Sequence, residues 1–166
     1  MKRLSLLFLI NSLFFLCCSG ANKNSPDIST DTSIEKNNTK ENAIVSNVTF
    51  NGSENNYNFS VTITSPDTGC NQYADWWEVI DLEGNLIYRR ILAHSHVEEQ
   101  PFTRSGGAVN ISEDTEVYVR VHMNNSSYGT KAMKGSISKG FTSVDLSADF
   151  AIELETTEPL PSGCAF

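Results

Sequence analysis

Residues 73–107 read YADWWEVIDLEGNLIYRRILAHSHVEEQPFTRSGG and carry the clearest structural signal in the chain. Two runs rich in aromatic and β-branched residues, 73–80 and 86–93, flank the segment Asp-Leu-Glu-Gly-Asn at 81–85. Two such runs joined by a short polar segment with a glycine are typical of a β-hairpin. The stretch therefore predicts two antiparallel strands followed by a polar segment.

The same pattern continues on both sides of this hairpin. From Tyr57 to Ile63, apolar residues alternate strictly with polar ones, which is the period of a strand with one buried face. Further short strands are predicted at 45–50, 107–111, 115–123 and 132–138. No segment before residue 145 has helical periodicity. These features predict an all-β chain, an antiparallel β-sandwich of about seven strands with a C-terminal extension.

The C-terminal extension departs from this alternation. Residues 146–156 are predicted to form either one short helix, which would bury Phe150, Ile152 and Leu154, or an added edge strand. Pro159 and Pro161 then lead the chain towards its last cysteine.

Two places in the strand pattern resemble fibronectin type III and immunoglobulin-like domains. Trp76 and Trp77 lie on the third predicted strand, where such folds place a core tryptophan. The run TEVYVRV at 115–121 is similar to the T-E-Y-x-V-x-V run of a fibronectin sixth strand, with Val117 in the tyrosine position. The bond made by that tyrosine is thus lost or remade by Tyr118.

The resemblance covers about residues 43–138 and implies an Ig-like or fibronectin type III-like sandwich. It further implies that the fourth, third and sixth strands are antiparallel neighbours in that order. Residues 73–107 also look like a block found in uncharacterised secreted bacterial proteins, which implies no activity.

The N-terminus has the pattern of a secretory signal. Lys2 and Arg3 precede a mostly apolar run, 4–16, which is too short to span a bilayer comfortably. The run ends in Cys17-Cys18-Ser19-Gly20, which resembles the lipobox of bacterial lipoproteins, and Cys18 is the preferred lipidation site. Lipidation of Cys17 and an ordinary signal peptide cut near Gly20 are the alternatives.

This reading divides the chain into a signal peptide at 1–17, a disordered tether at 18–42 and a β-sandwich domain at 43–166. It predicts a protein of the bacterial cell envelope, lipid-anchored and either periplasmic or surface-exposed. Loss of Lys2 and Arg3 leaves 12 − 2 = 10 basic residues against 20 acidic ones, a net charge of 10 − 20 = −10. Such an acidic surface argues against nucleic acid as a partner, and the membrane is reached through the lipid.

Cys70 and Cys164 remain after this processing. An even pair of cysteines outside the cytosol predicts a disulfide, which here would pin the C-terminal tail to the domain. Two metal thiolates are the alternative, and they lack a nearby C-x-x-C pair.

The three histidines suggest a metal site. If the fourth strand continues past residue 93, His94 and His96 point the same way, and His122 lies at the same end of the sheet on the sixth strand. Imidazole suits copper and zinc, so a copper or zinc centre of His94, His96 and His122 is one hypothesis, with Asp75, Glu98 or Met123 as a further ligand. The alternative is that all three make ordinary hydrogen bonds.

A binding patch is the other hypothesis, and its candidate residues are Trp76, Trp77, Arg90, Arg104 and Arg120. Guanidinium groups bind carboxylates, so the patch suggests a protein or a small anionic ligand such as an acidic sugar. The competing interpretation pairs the arginines with Glu78, Asp81, Glu98, Glu99 or Glu116. Residues 101–107 are either a binding loop folded over this sheet or a crossover between the two sheets, with Phe102 in the core.

Enzyme signatures are not found in the sequence. It has no Gly-x-Ser-x-Gly elbow and no phosphate-binding glycine loop, and Glu98 and Glu99 would face opposite ways on a strand. The sequence thus favours a lipid-anchored extracytoplasmic binding or accessory module of unknown ligand. The alternative is a copper- or zinc-binding lipoprotein.

Overall fold

The computed structural model describes residues 42–165. The predicted signal peptide, the lipidation site Cys18 and all but the last residue of the predicted tether lie outside the described residues. Nine strands make up the fold, namely β1 Ile44–Ser53, β2 Asn56–Thr64, β3 Ala74–Ile80, β4 Leu86–Ile91, β5 Phe102–Val109, β6 Val117–Met123, β7 Ser127–Tyr128, β8 Lys131–Ser136 and β9 Gly140–Asp145. One 3₁₀ helix, Ile152–Thr156, follows them.

The strands form two antiparallel sheets, so the predicted β-sandwich is confirmed. One sheet has the order β1-β2-β5 and the other the order β4-β3-β6-β8-β9, with the two-residue β7 paired to β6. The predicted neighbour order of the fourth, third and sixth strands is therefore confirmed as well. The strand count is nine rather than about seven, because β7 and β9 were not predicted. No helix among residues 42–165 is long and apolar enough to cross a membrane.

The core lies between the two sheets and follows the period-two pattern of the sequence. Tyr57, Phe59, Val61 and Ile63 of β2 are buried and alternate with polar residues that are partly or fully exposed. β3 adds Trp77 and β6 adds Val119, both fully buried in this cluster. Each large apolar side chain buried in this way contributes about 1.5–3 kcal/mol.

The end of β4 and the start of β5 differ from the sequence prediction. β4 stops at Ile91, so His94 and His96 lie in a loop, and the predicted strand continuation past residue 93 is wrong. The carboxylate of Asp67 accepts the backbone N–H of His96 at 2.8 Å, which draws the chain out of the sheet.

β5 begins at Phe102, five residues before the predicted start. The interpretation of 101–107 as a loop is therefore wrong, and most of this segment is a strand paired with β2. Phe102 is buried and lies opposite Ile63, which anchors the start of the strand in the core. The polar and glycine-rich sequence of the segment concealed this strand, because its stability comes from pairing and one buried ring.

The C-terminal tail, which we define as residues 146–165, is fixed to the sandwich by the predicted disulfide. Cys70 and Cys164 are bonded, with their Cα atoms 5.6 Å apart, which excludes the alternative of two metal thiolates. Next to it, the backbone N–H of Ala165 donates to the carbonyl of Ala93 at 2.6 Å. The tail contains the 3₁₀ helix rather than a helix over 146–156, and the edge strand β9 lies before it.

Candidate functional site

A buried cluster of charged residues lies on the face of the β4-β3-β6 sheet that the tail covers. The Glu78 carboxylate accepts hydrogen bonds from Arg89 Nε and Nη2 at 2.8 and 2.6 Å, and from Arg120 Nε at 2.8 Å. The strand register places Glu78 directly opposite both arginines. Because the side chains of Arg89 and Glu78 are 0% exposed and that of Arg120 is 2% exposed, these are buried ion pairs.

The two guanidinium groups also hold the tail. Arg89 donates to the carbonyls of Leu154 at 2.7 Å, Thr157 at 2.6 Å and Pro159 at 3.1 Å. Arg120 donates to the carbonyls of Phe150 and Ala151. Leu154 is the one buried residue within 146–165, so the tail is held mainly by these charged hydrogen bonds and by the disulfide.

Three of the five residues of the predicted binding patch are buried. Trp76 is 3% exposed, Trp77 is fully buried in the core, and Arg120 is buried with Glu78. Trp77 and Trp76 lie on successive positions of β3, so their side chains face opposite sides of the sheet. The predicted patch therefore does not form one exposed surface, because the core covers one side of the sheet and the tail covers the other.

Arg90 and Arg104 lie apart from this covered face. They line a small cleft of about 110 Å³ together with His94 and His96. Arg104 pairs with Glu99 at 2.7 Å, and Arg90 donates to the carbonyl of Ser105 at 3.2 Å. The competing interpretation, in which arginines pair with acidic residues of the chain, is therefore confirmed for Arg104 and Arg120.

The histidines do not form the predicted cluster. His94 and His96 contact each other, with ring centroids 4.5 Å apart, whereas His122 stacks on Trp76. Among residues 42–165 no group of three or more His, Cys, Asp or Glu side chains is arranged to hold a metal ion. The predicted convergence of the three histidines is therefore wrong. Copper or zinc binding stays a prediction, and this arrangement gives it no support.

His96 is a buried, uncharged ring. It stacks on Phe102 with centroids 3.8 Å apart and is 3% exposed. Burial, with Arg104 and His94 nearby, lowers the pKa of His96 to about 4. Its Nδ1 lies 3.8 Å from Asp67, but a neutral ring makes no ion pair there.

A groove of about 640 Å³ opens where β3, the β6-β7 turn and the tail meet. Its wall includes Tyr73, Asp75, Trp76, His122, Ser126 and Glu155. Burial and the carboxylates of Asp75 and Asp67 raise the pKa of Tyr73, so its hydroxyl keeps its proton.

His122 lies between two carboxylates in this groove. Its Nδ1 is 2.6 Å from Asp75 Oδ1 and its Nε2 is 3.1 Å from Glu155 Oε1. A ring nitrogen that carries a proton can donate to the carboxylate that faces it. The ring also lies parallel to Trp76, with centroids 3.6 Å apart.

A β-bulge explains how neighbouring residues of β3 meet the same histidine. Consecutive side chains of a regular strand point to opposite faces, yet both Asp75 and Trp76 contact His122. The pairing of β3 with β6 shifts register between Ala74 and Trp76. Such a bulge re-aims a side chain, and here it brings the Asp75 carboxylate to the imidazole.

Several polar atoms at the groove have no partner. Trp76 Nε1 and Ser126 Oγ are buried without a hydrogen-bond partner among the described residues. The carboxylate oxygens Asp75 Oδ2 and Glu155 Oε2 make none of the hydrogen bonds found within 42–165. The residues that line the groove thus include an indole with an unpaired donor, a hydroxyl and two carboxylates.

Sequence reasoning found some of these residues and missed others. Asp75, Trp76 and His122 were candidates, but Ser126 and Glu155 were not. The position of Cys164 contained a signal for Glu155, because a bond to Cys70 brings the tail to the start of β3. No local pattern marks Ser126, whose place depends on the turn after β6.

Comparison with known proteins gives one partial similarity. The chain is 42% identical over 85 residues to a protein named "Putative lipoprotein" from Halomicrobium mukohataei. The match covers 51% of this chain and 41% of that protein, so the chain spans less than half the length of this relative. No protein-family model matches the chain, and no solved structure matches it.

Proposed function

We propose that this protein is a lipid-anchored module outside the cytoplasmic membrane that binds a small organic ligand in the groove between β3, the β6-β7 turn and the tail. The lipobox-like sequence ending at Cys18 and the partial similarity to a protein named as a lipoprotein support the anchor. The disulfide supports an oxidising compartment, because such bonds persist outside the cytosol.

The observation that carries ligand binding is the indole nitrogen of Trp76. Buried polar groups nearly always have a partner, and an unpartnered one calls for an explanation. Trp76 lines a groove of about 640 Å³, within the range of about 300–1,000 Å³ that holds small ligands. A ligand oxygen that accepts the Trp76 N–H would satisfy this donor.

Trp77 supplies a control inside the same molecule. Its Nε1 is also buried and has no partner among the described residues, but the ring lies in the core between the sheets. The two indole N–H signals therefore report separately on the groove and on the core. The experiment is a screen of small organic compounds against the oxidised mature chain, read from these two signals in ¹H–¹⁵N NMR spectra.

A groove ligand is expected to shift the Trp76 signal and leave the Trp77 signal in place. Thr156→Phe narrows the groove from its exposed rim and should abolish the shift. Thr130→Phe, at an exposed residue that is not part of the groove wall, is the matched control and should preserve it. A diverse library in which no compound moves the Trp76 signal would refute ligand binding in this groove.

The anchor has its own test, which is metabolic labelling with a fatty acid in a bacterial host. Cys18→Ser is expected to remove both the label and membrane attachment, whereas Cys17→Ser should keep them. Label retained in Cys18→Ser but lost in Cys17→Ser would move the site by one residue. Absence of label in the unaltered chain would contradict the anchor.

A further inference from the structure

We infer that the ligand of this groove is a small molecule that carries a protonated amine together with a hydroxyl or carbonyl oxygen, as an amino sugar or an amino alcohol does. The inference rests on the proposed function and names the chemical class of its ligand. It differs from the anionic ligand that the arginine content of the sequence suggested.

The charge of the groove wall favours a cation. Asp75 and Glu155 line it, and among the described residues no lysine or arginine does. The chain as a whole carries a formal charge of −8, which adds to the negative potential there.

The free acceptors of the groove fit an ammonium group. Asp75 and Glu155 each use one carboxylate oxygen on His122, and their second oxygens make no hydrogen bond within 42–165. Ser126 Oγ, also unpartnered, is a third acceptor. An ammonium group has three N–H donors and no acceptor, so carboxylate oxygens that accept no other hydrogen bond suit it.

The donor of the groove requires an oxygen on the same ligand. The indole Nε1 of Trp76 can only donate, its residue is 3% exposed, and the atom has no partner among the described residues. Tyr73, whose hydroxyl keeps its proton, lines the same wall. An amine alone leaves these donors unpaired, whereas an amine with neighbouring hydroxyl groups satisfies both kinds of group.

The arginines do not supply an anion site in this groove. Arg120 donates its hydrogen bonds to Glu78 and to two tail carbonyls. Arg90 and Arg104 line a separate cleft that shares no residue with the groove. An anionic ligand would therefore meet two carboxylates and no guanidinium.

The experiment compares four sugars that differ in one group. Glucosamine carries the amine, glucose lacks it, N-acetylglucosamine has it neutralised, and glucuronate carries a carboxylate. Each is titrated into the oxidised mature chain in a buffer without amines, at a pH at which glucosamine is protonated. The Trp76 indole N–H signal is followed by NMR, with Trp77 as the internal reference.

Glucosamine is expected to shift the Trp76 signal and to bind at least about ten-fold more tightly than the other three sugars, since charge-assisted hydrogen bonds are the strong ones. Glu155→Gln keeps the shape of the side chain and should weaken glucosamine binding about ten-fold. Glu153→Gln removes one charge from an exposed residue of the same 3₁₀ helix outside the groove and should change binding less than two-fold.

The amine assignment would be overturned if glucuronate or glucose bound as tightly as glucosamine. It would also be overturned if none of the four sugars shifted the Trp76 signal. These results remain distinct from failure of the proposed function. If compounds of another class in the wider screen still shift Trp76, the groove binds a ligand and only its class is wrong. Equal loss of binding in Glu155→Gln and Glu153→Gln would show that the effect is general charge and would also overturn the assignment.

Discussion

Arg89 and Glu78 form a buried ion pair in which the guanidinium donates twice to one carboxylate oxygen, at 2.6 and 2.8 Å, with both side chains fully shielded from water. Arg120 reaches the other oxygen of the same carboxylate at 2.8 Å. The remaining donors of both arginines hold the carbonyls of the tail. The Glu78 carboxylate on β3 therefore binds one arginine from β4 and one from β6, and both arginines bind the tail that covers the sheet.

Replacing this carboxylate should be costly. Glu78→Gln leaves two buried guanidinium groups without a counter-charge, and we expect the free energy of unfolding to fall by about 3–5 kcal/mol. Glu83→Gln, at an exposed residue of the β3-β4 turn, is the matched control and should change it by less than about 0.5 kcal/mol. Urea denaturation of the oxidised proteins measures both values, and a loss below about 1 kcal/mol in Glu78→Gln would contradict the ion-pair account.

The disulfide should stabilise the domain more than it fixes the tail. The two cysteines are 94 residues apart, so the double variant Cys70→Ser/Cys164→Ser is expected to lose about 2–5 kcal/mol of unfolding free energy. The five carbonyls bound by Arg89 and Arg120 should keep the 3₁₀ helix in place. In the double variant, we expect the Ala165 amide to exchange its hydrogen rapidly and the Leu154 amide to exchange more slowly. Equally fast exchange at both amides would show that the disulfide alone holds the tail.

His96 should make stability depend on pH. Burial lowers its pKa from 6.5 to about 4, so the unfolded chain binds a proton between these values that the folded chain does not. The contribution of His96 is present above pH 6.5 and is lost as the pH falls towards 4, by up to about 3 kcal/mol.

The variant His96→Phe keeps the aromatic contact with Phe102 and should flatten this part of the profile. His94→Gln removes one of the smaller causes of the lowered pKa and should flatten the profile less than His96→Phe does. Urea midpoints measured from pH 7 to pH 4 compare the three proteins. An unchanged slope in His96→Phe would assign the pH dependence to other groups.

Gly135 is required for the pairing of β8 with the edge strand β9. A Cβ at this position would overlap the carbonyl oxygen of Gly140, and that atom belongs to the backbone and cannot rotate away. We expect Gly135→Ala to cost about 1–3 kcal/mol. Ser143→Ala, at an exposed position of β9, is the control and should lie within about 0.5 kcal/mol of the unaltered chain in thermal or urea unfolding.

Much of the fold was predictable because its signals are local. The strict alternation from Tyr57 to Ile63 appears as a strand with one buried face, since period two is a property of the strand itself. The segment at 102–109 escaped prediction because Thr, Arg, Ser and Gly carry weak strand preference, and pairing with β2 decides its structure.

The candidate site was predictable only in part. Asp75 and His122 were expected near one another as possible metal ligands, because the neighbour order of β3 and β6 follows from the fibronectin-like strand pattern. The pairing of Glu78 with two arginines was one of several alternatives, since charge alone does not say which partner lies opposite. The convergence of His94 and His96 with His122 was wrong, because the chain leaves the sheet at Ile91.

The sequence by itself determined the all-β class, the antiparallel β-sandwich and the bond between Cys70 and Cys164, because strand period and cysteine parity are readable without knowing any distant contact. The tertiary structure alone decided which face of the second sheet is accessible. Glu78 meets Arg120 across 42 positions, and His122 meets Glu155 across 33. The first contact depends on the register of β3 with β6 and the second on how the tail packs on the sheet, and neither can be read from local sequence.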